Sequence, residues 1–252
     1  MNIIGILQAR TGSSRFKNKI LKKIYNKSLL EIEIERIKQS KKIDKLIVAT
    51  SINSEDNIIE DICIKNNIYF FRGSLNNVLE RFYKIINIYK PAHIVRLTAD
   101  CPLIDPEIID LIINEHLKNK SDYTSNTIIP TYPDGMDVEV VKSSAIMQAH
   151  NNVIKKSDKE HVTSYINQRP NNFKLLNIEN SINLSKYRLT VDYYEDFLLI
   201  KRILFYLKKS DNLINFNFND IIDIFDKKPE IFKINKKYKR NETFYTLTSD
   251  EI

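Results

Sequence analysis

Short apolar runs recur through the first half of the chain, separated by longer stretches whose apolar residues stand three and four apart. The runs at 2–8, 45–50, 68–71 and 93–98 read as buried strands. Ser28, with Glu31 three residues on, has capping-box spacing and opens a helix carrying Leu29, Leu30, Ile32, Ile34 and Ile37. Ser54 reads as the cap of a second helix through Ile58, Ile59, Ile62 and Cys63. Val78, Leu79, Phe82, Ile85, Ile86 and Tyr89 mark a third helix, and Asp105-Pro106 gives a cap and a first-turn proline to a fourth. Strand–helix alternation of this kind predicts an α/β fold, a mostly parallel sheet with helices on both faces.

The second half is less regular. Strands are expected at 122–126, 136–141, 175–178 and 188–191, with a turn at 131–135 between the first two. Helices are expected at 144–153, 159–168 and 195–208. Without a repeat or a low-complexity linker, the pattern predicts a single domain, 1–252, with a small inserted region near 120–175 for acceptor binding or dimerisation.

In an open parallel sheet, ligands bind beyond the C-terminal ends of the strands. Four polar clusters fall there: Gln8 to Arg15, Ala49-Thr50-Ser51, Arg72-Gly73-Ser74 and Thr98-Ala99-Asp100. The first continues to Lys19 and joins backbone N–H groups, hydroxyls and four basic side chains in one loop, the chemistry that a polyphosphate needs. It matches neither the Walker A pattern nor the dinucleotide fingerprint, and read alone it is equally a polar strand-to-helix connection. Asp100 and Asp192 each end an apolar run and could together ligate Mg²⁺; each alone is also a common cap or turn residue. Asp105 and Asp196 are better explained as helix-start acids.

Composition narrows the class. The chain has 252 residues, 42% hydrophobic and 28% charged, enough for one core, and no apolar run approaches the about 18–20 residues that span a bilayer. The N-terminus enters a strand at once, so no signal peptide is expected and a cytoplasmic location is. Cys63 and Cys101 have no metal-ligand spacing and read as packing residues. His93 and His116 read as structural, and no Ser/His/Asp arrangement is visible, which favours direct in-line transfer. The net charge is +7; its one dense run, Asn235 to Arg240, reads as a solvated tail, and no nucleic-acid recognition motif is present. With only four glycines in the chain, Gly12, Gly73 and Gly135, each inside a polar cluster, mark candidate sites.

The run Leu7-Gln8-Ala9-Arg10-Thr11-Gly12-Ser13-Ser14-Arg15 with Lys19 is followed in order by Val48-Ala49-Thr50, Phe71-Arg72-Gly73-Ser74 and Arg96 through Asp105. Tyr132 through Glu139, Glu160-His161-Val162-Thr163 and Thr190 through Asp196 complete the series. Together they resemble the spore-coat polysaccharide F-type cytidylyltransferases, relatives of the 3-deoxy-manno-octulosonate and acylneuraminate cytidylyltransferases. The resemblance implies a Rossmann-like nucleotidyltransferase fold and Mg²⁺-dependent transfer of CMP from CTP to an acidic sugar or similar acceptor, for surface polysaccharide synthesis. It implies that Gln8, Ala9, Arg10, Gly12, Ser13, Ser14, Arg15 and Lys19 hold the nucleotide with Asp100, and that Ala49, Thr50 and Arg72 border cytosine and ribose. Arg15, Lys19 and Asp100 would be catalytic, Asp100 and Asp192 would hold Mg²⁺, and Tyr132, Asp134, Asp137, Glu139 and His161 would lie near the acceptor. A homodimer is implied as well. One departure from the family pattern is Phe16-Lys17-Asn18-Lys19, which lacks a proline found in relatives. Competing readings are transfer from another nucleoside triphosphate or to a sugar phosphate, a non-catalytic nucleotide-binding subunit, and nucleic-acid binding.

Overall fold

The side chains of β1 (Ile3–Gln8) alternate between two cores, and the rest of the molecule follows from that alternation. Ile3 and Leu7 join one apolar cluster, Ile4 and Ile6 the other. In this computed structural model, which describes residues 2–207 and 213–240, a small hairpin follows the first loop: β2 (Lys23–Ile24) and β3 (Lys27–Ser28). Then come α1 (Leu29–Ile37), β4 (Lys45–Ser51), α2 (Asn57–Lys65), β5 (Tyr69–Gly73), α3 (Val78–Tyr89), β6 (His93–Thr98) and α4 (Pro106–Asn119). The chain continues through β7 (Tyr123–Ser125), β8 (Glu139–Lys142), α5 (Ser143–Asn152), α6 (Lys156–Glu160), α7 (Ser164–Asn167), β9 (Leu175–Asn177), α8 (Tyr194–Leu207) and α9 (Phe218–Lys227).

Seven strands form one sheet in the order β5-β4-β1-β6-β8-β7-β9. The first four are parallel; β8 runs antiparallel to both β6 and β7, and β9 is parallel to β7. Two strands from 120–175, β7 and β8, are thus part of the main sheet, and β9 begins at the end of that region. Leu46, Val48, Val95 and Leu97 face the core shared with α1, α4, α8 and α9. Ile47, Ala49 and Ile94 face the core shared with α3, α5 and α7. Both faces of the sheet are therefore covered.

The expected start signals hold at two helices. Ser28 and Glu31 form the capping box of α1, and Asp105 caps α4 ahead of Pro106. Ser54 does not cap α2: it lies in a 3₁₀ turn, Ser54–Asp56, and the cap position falls to Asp56, whose carboxylate binds Thr11 and Ser51 instead of the helix. The helix expected at 159–168 is two short ones, broken where Val162 takes φ +51°. Residues 188–191 form no strand, since their N–H groups go to the carbonyls of Asp134 and Asp100. Lys208, the expected end of α8, lies outside the described residues.

Beyond 212 the chain folds back onto the first core through Leu213, Phe216, Ile221, Ile224, Phe225 and Phe232. Arg36, fully buried on α1, donates to the carbonyls of Ile104, Ile214 and Phe216 and stacks 3.5 Å from the Phe216 ring centre. Tyr187 stacks on Phe225 at 3.9 Å. Part of this packing surrounds the loop that carries Asp192. His93 and His116 form a buried pair at 2.8 Å, and Cys63 and Cys101 are buried free thiols, consistent with structural roles.

Candidate active site

The loop after β1 is tied down by the turn that follows β4. Asp56 accepts from both the N–H and the hydroxyl of Thr11, each at 2.7 Å, and from the Ser51 hydroxyl. Burial alone would raise the Asp56 carboxyl, but these hydrogen bonds outweigh it and hold it below the usual range. Asn18 takes φ +56° and turns the chain so that Lys19 begins a 3₁₀ helix. Phe16, in the segment that lacks the proline, is anchored against the rings of Tyr194 at 5.9 Å and Phe197 at 6.1 Å. A Cβ on Gly12 would meet open space, so the backbone does not demand glycine there.

The loop forms one wall of a cavity of about 920 Å³, which is nucleotide-sized. Gln8, Ala9, Arg10, Gly12, Ser13, Ser14, Arg15 and Lys19 all line it, as do Asp100 and Asp192. Lys19 Nζ stands 2.8 Å from Asp100 Oδ2 and 2.8 Å from Asp192 Oδ1. Arg15 reaches the same Asp192 oxygen at 2.8 Å. Burial would lower the Lys19 ammonium, yet the two carboxylates win and raise it above its ordinary value. Burial would likewise raise Asp192, but Lys19, Arg15 and Arg188 hold it well below the usual carboxylate range. Behind Asp100, the buried Glu33 carboxyl accepts from the Cys101 N–H at 3.1 Å; burial, then the Asp100 charge, pushes it well up.

The opposite wall comes from β8 and the turn before it. Asp134, Asp137, Glu139 and His161 line the cavity, and each of the three carboxylates has its own arginine. Arg188 binds Asp134 at 2.7 Å, Arg240 binds Asp137, and Arg96 binds Glu139 at 2.6 Å. Arg96 and Glu139 are cross-strand neighbours in the β6–β8 register. Tyr123 and Thr163 also donate to Glu139, at 3.0 and 3.2 Å. Burial and the neighbouring acid raise Asp134 despite its arginine. Burial, then the Arg96 charge, lowers His161 and so favours its neutral imidazole.

Four residues expected in the site are elsewhere. Ala49 and Thr50 are fully buried in β4, and Ala49 contributes only its carbonyl, which takes the Ala9 N–H at 3.1 Å. Arg72 does not line the cavity: its guanidinium is taken up by Glu60 at 2.6 Å and by the carbonyls of Ser51 and Asn53. Tyr132 is a core residue beside Phe218, 4% exposed.

A family model described as cytidylyltransferase matches residues 4–246. The chain belongs to the cytidylyltransferase family. An uncharacterized protein of Methanocaldococcus jannaschii is 43% identical over 244 residues, covering 95% of this chain and 97% of its own. The spore coat polysaccharide biosynthesis protein SpsF of Bacillus subtilis is 35% identical over 236 residues, covering 91% and 96%. A solved cytidylyltransferase from Leptospira borgpetersenii superposes with TM-score 0.87 at 31% identity, covering 95% of this chain and 98% of that one. The fold alone is shared with a CMP:2-keto-3-deoxy-manno-octonic acid synthetase complexed with CTP, at TM-score 0.62 and 12% identity, covering 82% of this chain and 100% of that one.

For a cytidylyltransferase, the sequence reading left out the arginines that organise the cavity. Arg188 is the hub: it reaches Asp134, Asp192 at 2.7 Å and Asp196 at 3.1 Å. Asp196, expected only as a helix-start acid, also accepts from the N–H groups of Asp192 and Tyr193 and from Asn235. Arg81, Arg96, Lys239 and Glu160 line the cavity too, the last bonded to Arg10 at 3.2 Å. Lys239 and Arg240 belong to the run expected to be a solvated tail; Arg240 also donates to the Tyr132 carbonyl at 3.1 Å. Their distance in sequence from any motif hid them. A signal existed for Arg96, an arginine in the middle of an otherwise apolar strand, and for Glu160, which opens the run Glu160-His161-Val162-Thr163.

Proposed function

We propose that this cytidylyltransferase transfers CMP from CTP to a hydroxyl of an acidic sugar or similar acceptor, with Mg²⁺, in the synthesis of a surface polysaccharide. The observation that carries the reading is Lys19, held at 2.8 Å from both Asp100 and Asp192 inside a nucleotide-sized cavity, with Arg15 beside it. The names of the relatives support the chemistry. SpsF is a polysaccharide biosynthesis protein, and 3-deoxy-manno-octulosonate cytidylyltransferases match less than two thirds of the chain.

The acceptor oxygen attacks the α-phosphorus, the bond to the pyrophosphate oxygen breaks, and pyrophosphate leaves with the electron pair. Arg10, Ser13 and Ser14 orient the triphosphate on the loop, and Arg15 and Lys19 neutralise the departing pyrophosphate. Asp134, Asp137, Glu139 and His161, with Arg96 and Arg188, would position the acceptor for in-line approach. The two carboxylates fit Mg²⁺: both are hard oxygen donors, and they reach one common point, marked by the Lys19 ammonium. When bound, the ion would supply positive charge against that of the phosphates.

Thermal unfolding with CTP, UTP, ATP or GTP, each with Mg²⁺ or with chelator, tests this. CTP with Mg²⁺ is expected to stabilise most, by about 2.7 kcal/mol at about 100 times its dissociation constant. Asp100→Asn should lose the Mg²⁺-dependent part. Pyrophosphate release on adding 3-deoxy-manno-octulosonate or N-acetylneuraminate then reports on the acceptor class. Equal shifts with all four triphosphates would overturn the cytidylyl reading. No shift with any would leave a non-catalytic subunit as the better account.

A further inference from the structure

Asp192 is held in place by something other than a strand. Asp100 stands just past β6, whose ladders with β1 and β8 fix it. Asp192 ends a segment that belongs to no ladder. Its backbone N–H and that of Tyr193 both go to one oxygen of Asp196, at 2.9 and 3.0 Å. The other Asp196 oxygen takes Arg188 Nε at 3.1 Å and the Asn235 amide at 2.8 Å. That amide also donates to the Arg188 carbonyl at 3.0 Å. Asn235 is 2% exposed, and Asp196 is fully buried. A buried carboxylate with both oxygens committed in this way is fixed in rotation as well as in place.

Asn235 opens a segment, 235–240, that runs from the Asp192 loop to the opposite wall of the cavity. The Tyr238 ring stacks on that of Tyr193, beside Asp192, at 3.7 Å and 2°, and its hydroxyl donates to Glu195 at 2.9 Å. Arg188 Nη1 donates to the Lys239 carbonyl at 3.3 Å. Arg240 donates to the Tyr132 carbonyl at 3.1 Å and pairs with Asp137. Lys19 and Arg15 also reach Asp192, but on the reading above they serve the phosphates. The groups that stay with Asp192 are Arg188, on Oδ2 at 2.7 Å, and Asp196, on the backbone behind it. Asn235 bonds to both.

We propose, on the cytidylyl reading above, that residues 235–240 are a positioning element for the reaction: through Asp196 and Arg188, Asn235 holds the Asp192 carboxylate at the point it shares with Asp100, and so sets the affinity of that pair for Mg²⁺. The ion demands near-ideal octahedral geometry at about 2.0–2.1 Å, so a small displacement of one oxygen donor weakens it. Removing a group that orients a metal ligand typically costs about 10–100-fold in metal affinity. Asn235 does not itself line the cavity and acts at one remove. A segment that only closed the first core would bury apolar side chains there, as Ile231 and Phe232 do; Asn235 instead directs its amide at the Asp192 loop.

The test is titration calorimetry of CTP with saturating Mg²⁺ and with chelator, on wild type, Asn235→Ala, Tyr238→Ala, Tyr238→Phe and Ile146→Ala, with the thermal midpoint of each. The ratio of the two CTP affinities reports the metal pair. Asn235→Ala should lower that ratio about tenfold or more, and Tyr238→Ala should lower it too, while CTP affinity in chelator stays within about twofold. Tyr238→Phe keeps the ring on Tyr193 and should hold the ratio near that of wild type. Ile146→Ala opens the core on the other face of the sheet; it should lower the midpoint and leave the ratio unchanged. Tyr238 is only half-buried, so its two variants decide the matter where Asn235→Ala fails to fold. An unchanged ratio in every folded variant would make 235–240 a fold anchor and overturn the proposal. An equal loss in chelator would overturn it as well, since the segment would then support the phosphate site. So would an equal loss in Ile146→Ala, which would mean general loosening. A wild-type ratio of one would instead refute the Mg²⁺ reading, and this proposal with it.

Discussion

Asp192 is one carboxylate shared by three cations, and its titration carries a stability signature. Its folded pKa lies below the unfolded value of about 3.9, so its contribution is fully present above that pH and is lost as pH falls through the folded value. Asp192→Asn should therefore be less stable than wild type at pH 7, by about 2 kcal/mol, because Arg15, Lys19 and Arg188 lose a shared counter-charge. Urea melts from pH 7 to pH 3 should show the difference narrowing below about pH 4. The charged residues at strand ends were legible in the sequence because an open parallel sheet dictates where its loops gather. Arg15, Lys19, Asp100 and Asp192 meet there as expected. Arg72 shows the limit of that logic: a strand end fixes where a side chain begins, while its length lets it choose a nearer acceptor such as Glu60. Arg188 was hidden for the opposite reason. Asp192 and Asp196 stand four and eight residues away, but Asp134 comes from a remote turn and nothing local to Arg188 records that contact.

Among the elements, the turn before β8 is the joint between the two walls. Asp134 is bridged to Arg188, and its carbonyl takes the N–H groups of Leu189 and Thr190. Gly135 makes this approach possible, with φ +101° and a Cβ position only 2.5 Å from the Thr190 nitrogen. Gly135→Ala should cost about 2 kcal/mol or more, through both the strained backbone and the contact, and should lower the thermal midpoint. The same joint explains why 188–191 forms no ladder strand: the N–H groups of Leu189, Thr190 and Val191 are spent on loop carbonyls. The parallel strands and their helices were readable because burial on both faces writes continuous apolar runs. Harder to read was α9, although Asn217 and Asp220 form its capping box. Its apolar residues Phe218, Ile221, Ile224 and Phe225 pack on α8 and Phe232 and on Tyr132 and Tyr187, the last two far away in the chain.

At the scale of the whole molecule, the family match runs almost the length of the chain, and no helix among the described residues is long and apolar enough to cross a membrane. Ile128, Ile129 and Ile154 lie in the 120–175 region and are 40%, 59% and 88% exposed. With the implied homodimer, they predict that light scattering will give about twice the 29.7 kDa chain mass. Ile154→Asp should shift the population toward that of a single chain.

The pairing of charges in the cavity has a kinetic consequence. Seven basic and six acidic side chains line it, so the wall is close to neutral even though the chain carries +7. A cleft of one sign would draw an anion in from a distance and lose that pull in salt. On the proposed reading, a triphosphate would meet cations already paired with carboxylates, Arg10, Arg15 and Lys19 among them, and each would have to release one partner to take another. Capture is then expected to depend on how fast these cations change partners and only weakly on salt.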